Sequence, residues 1–84
     1  MIIMTRTEIN EKLNKVFAEV FDDETLTVSD NTTVNDIEDW DSLAHLTLIS
    51  SVEEAFSIEF NLNEISKFKN VGEMMSSIEK HLND

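Results

Sequence analysis

The sequence predicts an all-α protein: a small four-helix bundle of three longer helices and one short one, with a long loop between helices 1 and 2. Three observations predict it. Apolar residues recur at helical spacing along most of the chain. Proline is absent and glycine occurs once, so tight sheet-type turns lack their usual residues. Finally, Thr5, Asn61 and Asn70 each stand three residues ahead of a glutamate, a pattern that opens helices. At 84 residues the chain encloses one core, so residues 1–84 are expected to form a single domain.

The first helix is expected from Thr5, where Thr5 and Glu8 make a capping box and Met4 can staple against Ile9. Ile9, Leu13, Val16, Phe17 and Val20 then form one apolar stripe, ending near Phe21. Residues 22–40 are polar, with scattered Leu26, Val28, Val34 and Ile37, and read as a loop tacked to the core by those four. A connection of that length in a small domain is usually functional. A second helix opens at Asp41 or Ser42, with Leu43, Leu46, Ile49, Val52 and Phe56 as its expected buried stripe. Residues 58–62 alternate as a strand would, but no partner strand exists for them, so they read as an extended linker. Asn61 with Glu64 caps a short third helix that buries Ile65 and Phe68. Asn70 with Glu73 opens the last, built on Val71, Met74, Met75, Ile78 and Leu82.

Charge narrows the function classes. Asp and Glu number 18 against 6 Lys and Arg, a net charge of -12, so nucleic acid and anionic membranes would repel the chain. No Lys or Arg occurs between Lys15 and Lys67, and the acids of that stretch make either a solvated surface or a docking face for basic partners. No run approaches the roughly 20 apolar residues of a membrane span. The first residues, Met1-Ile2-Ile3-Met4, are too short for a signal-peptide apolar region, so a cytoplasmic protein is expected. There is no cysteine, which suits a reducing compartment; any thiol chemistry would need a sulfur from elsewhere.

Asp41-Ser42-Leu43 stands where the long loop meets the second helix. Taken alone, Asp and Ser there are ordinary helix openers. With its surroundings, the tripeptide resembles the modification motif of acyl carrier proteins. The matching features run in order along nearly the whole chain: an amphipathic first helix, a long polar loop, the motif opening a second helix expected to be acidic, and Glu53-Glu54-x-Phe56 closing it. An x-Ile58-x-Phe60 linker, a short third helix and a fourth opened near Val71 complete the match. The resemblance implies a four-helix bundle carrying acyl groups as thioesters on 4'-phosphopantetheine, covalently attached to Ser42. It implies that Asp41 helps a phosphopantetheinyl transferase dock or hold its metal. It implies further partners, acyl-loading and acyl-transfer enzymes with basic docking surfaces, met by Glu38, Asp39, Trp40, Leu43, Glu53 and Glu54 of a monomer. Leu43 itself reads equally as core or as a partner contact.

Two departures shape the expectation. Housekeeping fatty-acid carriers have small residues ahead of the motif, where this chain has Asp39-Trp40. Trp40 reads as a lid packed on the helix or as part of the docking face. Thr47 falls where an acidic residue is common, and His45 reads as a solvated side chain or a contact for the phosphate. Both departures suit a specialised carrier, of polyketide, lipid A or surface-polysaccharide pathways, over a housekeeping one. The glycine-rich motif usual in peptidyl carriers is absent, and a peptidyl or aminoacyl carrier is the alternative within the family. Among other classes, an EF-hand would need a central glycine, and Gly72 lies far from any ligand series; a loose divalent-ion site among Glu38, Asp39 and Asp41 is the residual metal reading, and no specific metal site is expected. An acidic interaction protein fits the composition but not the placement of Ser42. An enzyme is not expected, because neither His45 nor His81 has the spacing to activate Ser42.

Overall fold

The computed structural model describes residues 4–83. Four helices follow one another: α1 (Arg6–Val20), α2 (Ser42–Phe56), α3 (Leu62–Lys67) and α4 (Val71–Asn83), with α3 the short member. α1 packs against both α2 and α4. Its start is a reciprocal capping box: Thr5 Oγ1 accepts from the Glu8 N–H at 3.2 Å, and the Glu8 carboxylate accepts from the Thr5 N–H at 2.9 Å. Ile9, Leu13, Val16 and Phe17 are the buried face of α1, as the stripe predicts, while Val20 is only partly covered.

α2 corrects the expected stripe. Its buried residues are Leu48, Ile49, Val52 and Phe56, whereas Leu43 is 74% and Leu46 60% exposed. The physical reason is the helical period. His45, Leu48, Ile49 and Val52 follow the i, i+3, i+4, i+7 rule, and a stripe drawn through Leu43 and Leu46 strays from the face that Val52 and Phe56 define. Apolarity alone placed those two leucines inside; angular position puts them outside. α2 ends at Ser57, which is left-handed at φ 55°, and the Ile58 N–H returns to the Glu53 carbonyl at 3.0 Å.

The connection from α1 to α2 is ordered by specific bonds. Asn14 and Asn10, one turn apart on α1, hold both backbone groups of Val28: the Val28 N–H donates to Asn14 Oδ1 at 2.5 Å, and Asn10 Nδ2 donates to the Val28 carbonyl at 3.1 Å. Further on, the loop meets the start of α4. Thr33 and Asn70 form an isolated antiparallel bridge, and the N–H groups of Val71 and Gly72 donate to the carbonyls of Thr32 and Asp30 at 2.8 and 3.0 Å. Arg6 ties the same corner together, donating to the Asp30 carboxylate, the Gly72 carbonyl, Ser76 Oγ and the Glu79 carboxylate. The hydrogen bond to Glu79 is the largest influence raising the Arg6 pKa above its usual value.

Of the four apolar residues expected to tack this loop down, Val28 and Ile37 are buried and Leu26 is partly so, but Val34 is 40% exposed. A 3-10 turn at Val34–Asp36 turns Val34 away from the core; the Asp36 carboxylate accepts from the Thr33 N–H at 2.8 Å and fixes that turn.

α3 and α4 start as their sequence predicts. Asn61 and Asn70 accept from the N–H groups of Glu64 and Glu73 at 2.9 and 2.8 Å. Ile65 and Phe68, expected to be buried by α3, are partly buried at its side of the core. Val71, Met74, Met75 and Ile78 of α4 are fully buried, and Leu82 is partly so. His81 Nε2 meets the Glu64 carboxylate at 2.8 Å and lies edge-on to Phe60, which joins the end of α4 to α3.

Candidate functional site

The site grows from the last residues of the loop. Trp40 is the residue on which they turn. Its ring lies at 80° to Phe17 with centroids 5.3 Å apart, and it also contacts Phe21, so only 4% of it is exposed. That burial corrects its placement on a docking face: a side chain spent on the α1 core has little surface for a partner, and of the two readings the lid is the one the geometry supports. Behind this anchor the chain enters α2. The Asp41 N–H donates to the Asp39 carbonyl at 3.0 Å, and Asp41 Oδ1 accepts from the Ala44 N–H at 2.8 Å, capping the helix. The Asp41 carbonyl takes the His45 N–H at 2.9 Å.

Ser42 is therefore the first residue of α2, exposed, with its hydroxyl free of the cap. In the first turn the cap serves Ala44 and the ladder serves His45, which leaves the N–H groups of Ser42 and Leu43 without a partner among the described residues. Those groups and the positive end of the helix dipole favour an anion at Ser42 by roughly 0.3–1 kcal/mol. Beside Ser42 a cleft of about 530 Å³ opens between the loop, α2 and α3. Val34, Leu46, Ile65 and Phe68 give it apolar walls, and Trp40 and His45 lie at its α1 side.

His45 is not the solvated side chain of the first reading. It is partly buried, its ring stacked on Trp40 at a centroid distance of 5.9 Å, and its Nδ1 accepts from Trp40 Nε1 at 3.0 Å. The signal for this was present in the spacing, since His45 begins the buried face of α2 and lies five residues after the only tryptophan.

The remaining acids divide into two groups. Glu38, Asp39 and Asp41 are exposed on the loop just before Ser42. Glu53 is half-buried and accepts the Phe60 N–H at 2.8 Å, so it braces the linker, whereas Glu54 is exposed. Between Ser42 and Val52 α2 carries no Asp or Glu, and Thr47 bonds back to the Leu43 carbonyl at 3.2 Å. The expectation of an acidic second helix thus holds only for its last turns. Among the described residues no group of three acidic, histidine or cysteine side chains is gathered so as to hold a metal ion.

A short helical bundle that offers a hydroxyl at a helix start, over an apolar cleft, has the build of a covalent carrier. The chain belongs to the family described as "Phosphopantetheine attachment site", which it matches over residues 11–78. It is similar to a holo acyl carrier protein from Geobacter metallireducens solved by solution NMR, with 40% identity over 89% of this chain and 86% of that one, and a TM-score of 0.84. No curated protein matches the chain. It is an acyl carrier, and the cofactor of its family is covalently attached 4'-phosphopantetheine. Carriers of this family work with a transferase and with partner enzymes. No helix among the described residues is long and apolar enough to cross a membrane.

The site's chemistry fits that cofactor. It has an uncapped hydroxyl to esterify, free N–H groups for the resulting anion, and an apolar wall for the arm beyond it.

Proposed function

We propose that Ser42 is the attachment residue and that the protein is a monomeric carrier acting in the cytoplasm, where its transferase and coenzyme A meet it. The observation that carries this reading is the exposed Ser42 hydroxyl at the first position of α2, opening onto the cleft. A transferase has to bring a hydroxyl to the pyrophosphate of coenzyme A, and this one needs no unfolding to reach it. When attached, the arm supplies the thiol that binds acyl cargo as a thioester, a group the cysteine-free chain lacks. A carrier role asks the protein for position and not for a catalytic group, and His45 Nδ1 is already engaged by Trp40.

The docking surface has an apolar centre and an acidic edge. Leu43 and Leu46 project beside Ser42, and Glu38, Asp39 and Asp41 precede it, with Glu54 further along α2. Partner enzymes that load or transfer acyl groups then present an apolar patch bordered by basic residues. Trp40 in place of a small residue, and an α2 without acids for ten residues after Ser42, support a specialised carrier over the housekeeping one. Polyketide, lipid A and surface-polysaccharide modification are the pathways it suits.

Incubation with coenzyme A, magnesium and a broad-specificity phosphopantetheinyl transferase, followed by mass spectrometry, tests the assignment. The protein should gain one phosphopantetheine and Ser42→Ala none. A wild type left unmodified by several transferases, or a modified Ser42→Ala, overturns it. The mass of the native acylated protein would identify cargo and pathway.

A further inference from the structure

We propose that His45 holds the phosphodiester of the attached arm through an Nε2–H hydrogen bond, and that Trp40 fixes the ring for this purpose; the inference rests on Ser42 as the attachment residue. The Trp40 indole is a donor only, and it donates to His45 Nδ1 at 3.0 Å. A neutral imidazole that accepts at Nδ1 carries its proton on Nε2. The indole bond thus selects one tautomer, and the near-parallel stacking of the rings, 25° apart, limits rotation about the side chain.

No described residue takes a hydrogen bond from His45 Nε2, although the ring is partly buried. His45 is three residues after Ser42, hence on the adjacent surface of the same helix, and both line the cleft. An anion esterified to Ser42 is the acceptor within reach. Asp41, the other titratable group lining the cleft, is an acceptor whose Oδ1 is engaged by Ala44. It cannot donate to a phosphate as a carboxylate. His45 on one side and the first-turn N–H groups on the other would hold the phosphodiester at the mouth of the cleft that Ser42 and His45 line. Trp40 is then a positioning residue that acts through His45.

The test uses the full chain in apo and arm-bearing forms, with attachment first verified by mass. Long-range ¹H–¹⁵N spectra of the His45 ring should show the Nε2–H tautomer in both forms, and Nε2 but not Nδ1 should shift on attachment. The ³¹P resonance of the phosphodiester should move in His45→Phe and return toward wild type in His45→Gln, whose amide nitrogen takes the Nε2 place. Trp40→Phe keeps an aromatic anchor without the donor and should reduce the attachment-dependent Nε2 shift, which keeps the test open should His45→Phe not fold. An Nε2 signal identical in both forms, or a ³¹P shift indifferent to all three variants, overturns the proposal while leaving Ser42 in place. No mass gain at all overturns both.

Discussion

At Gly72 the loop backbone lies against the start of α4. A Cβ there would lie 2.8 Å from the Asp30 carbonyl oxygen and 3.2 Å from Asn70 Oδ1, and a backbone oxygen held by the Gly72 N–H cannot move aside without cost. Gly72→Ala should lower unfolding stability by about 1–3 kcal/mol, measured by urea titration, despite the better helix propensity of alanine. A variant as stable as wild type would show that the loop yields there. Two acids show the opposite effect, local stabilisation. The Asp23 carboxylate lies below its usual pKa chiefly through the Thr25 hydroxyl, and Glu8 does so through the Thr5 N–H. A depressed carboxylate pKa adds stability that is present above the unfolded value and lost as pH falls through the folded one. The stability advantage of wild type over Thr25→Val should therefore hold at about pH 6 and fade as pH drops below about 4. A difference independent of pH would assign the effect to packing.

At the scale of elements, the ends of α2 and the clamps on the loop decide how well the site is held. Ser57 is left-handed, a conformation costing a non-glycine residue roughly 1–2 kcal/mol, so Ser57→Gly should raise stability by about 1 kcal/mol. Asn14→Leu should lower it by about 1–3 kcal/mol, because the Val28 N–H, in a residue only 4% exposed, loses its acceptor. Faster hydrogen exchange at Val28 would locate the damage, and unchanged exchange would contradict the clamp. These clamps also mark what the sequence could and could not convey. Helices announced by local chemistry, such as Thr5 with Glu8 or Asn61 with Glu64, were legible because cap and acceptor are three residues apart. The loop was not, because its partners are remote: Asn14 for Val28, Asn70 for Thr33, Arg6 for Asp30. Nothing in an asparagine on α1 says that its amide reads a backbone fourteen residues away. Of the site, Asp41 as cap and Ser42 as the helix's first residue were readable, Leu46 was misplaced by apolarity, and of the two readings of Trp40 its burial supports the lid.

For the molecule as a whole, charge sets the terms. A net charge of -12 on 84 residues repels itself in the compact state. Raising salt from about 10 to 200 mM should therefore raise the melting temperature, as the screening length shrinks toward that of the charge spacing. A melting temperature that falls would mean that ion pairs such as Arg6 with Asp30 outweigh the repulsion. Partner binding should respond more gently. With Leu43 and Leu46 at the centre and acids only at the edge, association should weaken with salt, while Leu46→Ala should cost about 1–3 kcal/mol at any ionic strength. Binding that vanishes at moderate salt and ignores Leu46→Ala would make the acidic edge dominant.

The seam between residues 30–33 and 70–72 has a further consequence, in the order of synthesis. The ribosome makes Ser42 well before Val71 and Gly72, yet the loop that leads to Ser42 is held in place by their N–H groups. The core residues Met74, Met75 and Ile78 come later still. In a nascent chain that has emerged only through α2, the segment leading to Ser42 can keep its contacts with α1 at Val28 and Trp40 but lacks the seam with α4. The site as that seam shapes it requires synthesis through the start of α4, so a transferase that recognises the folded surface would act poorly on nascent chains that lack it.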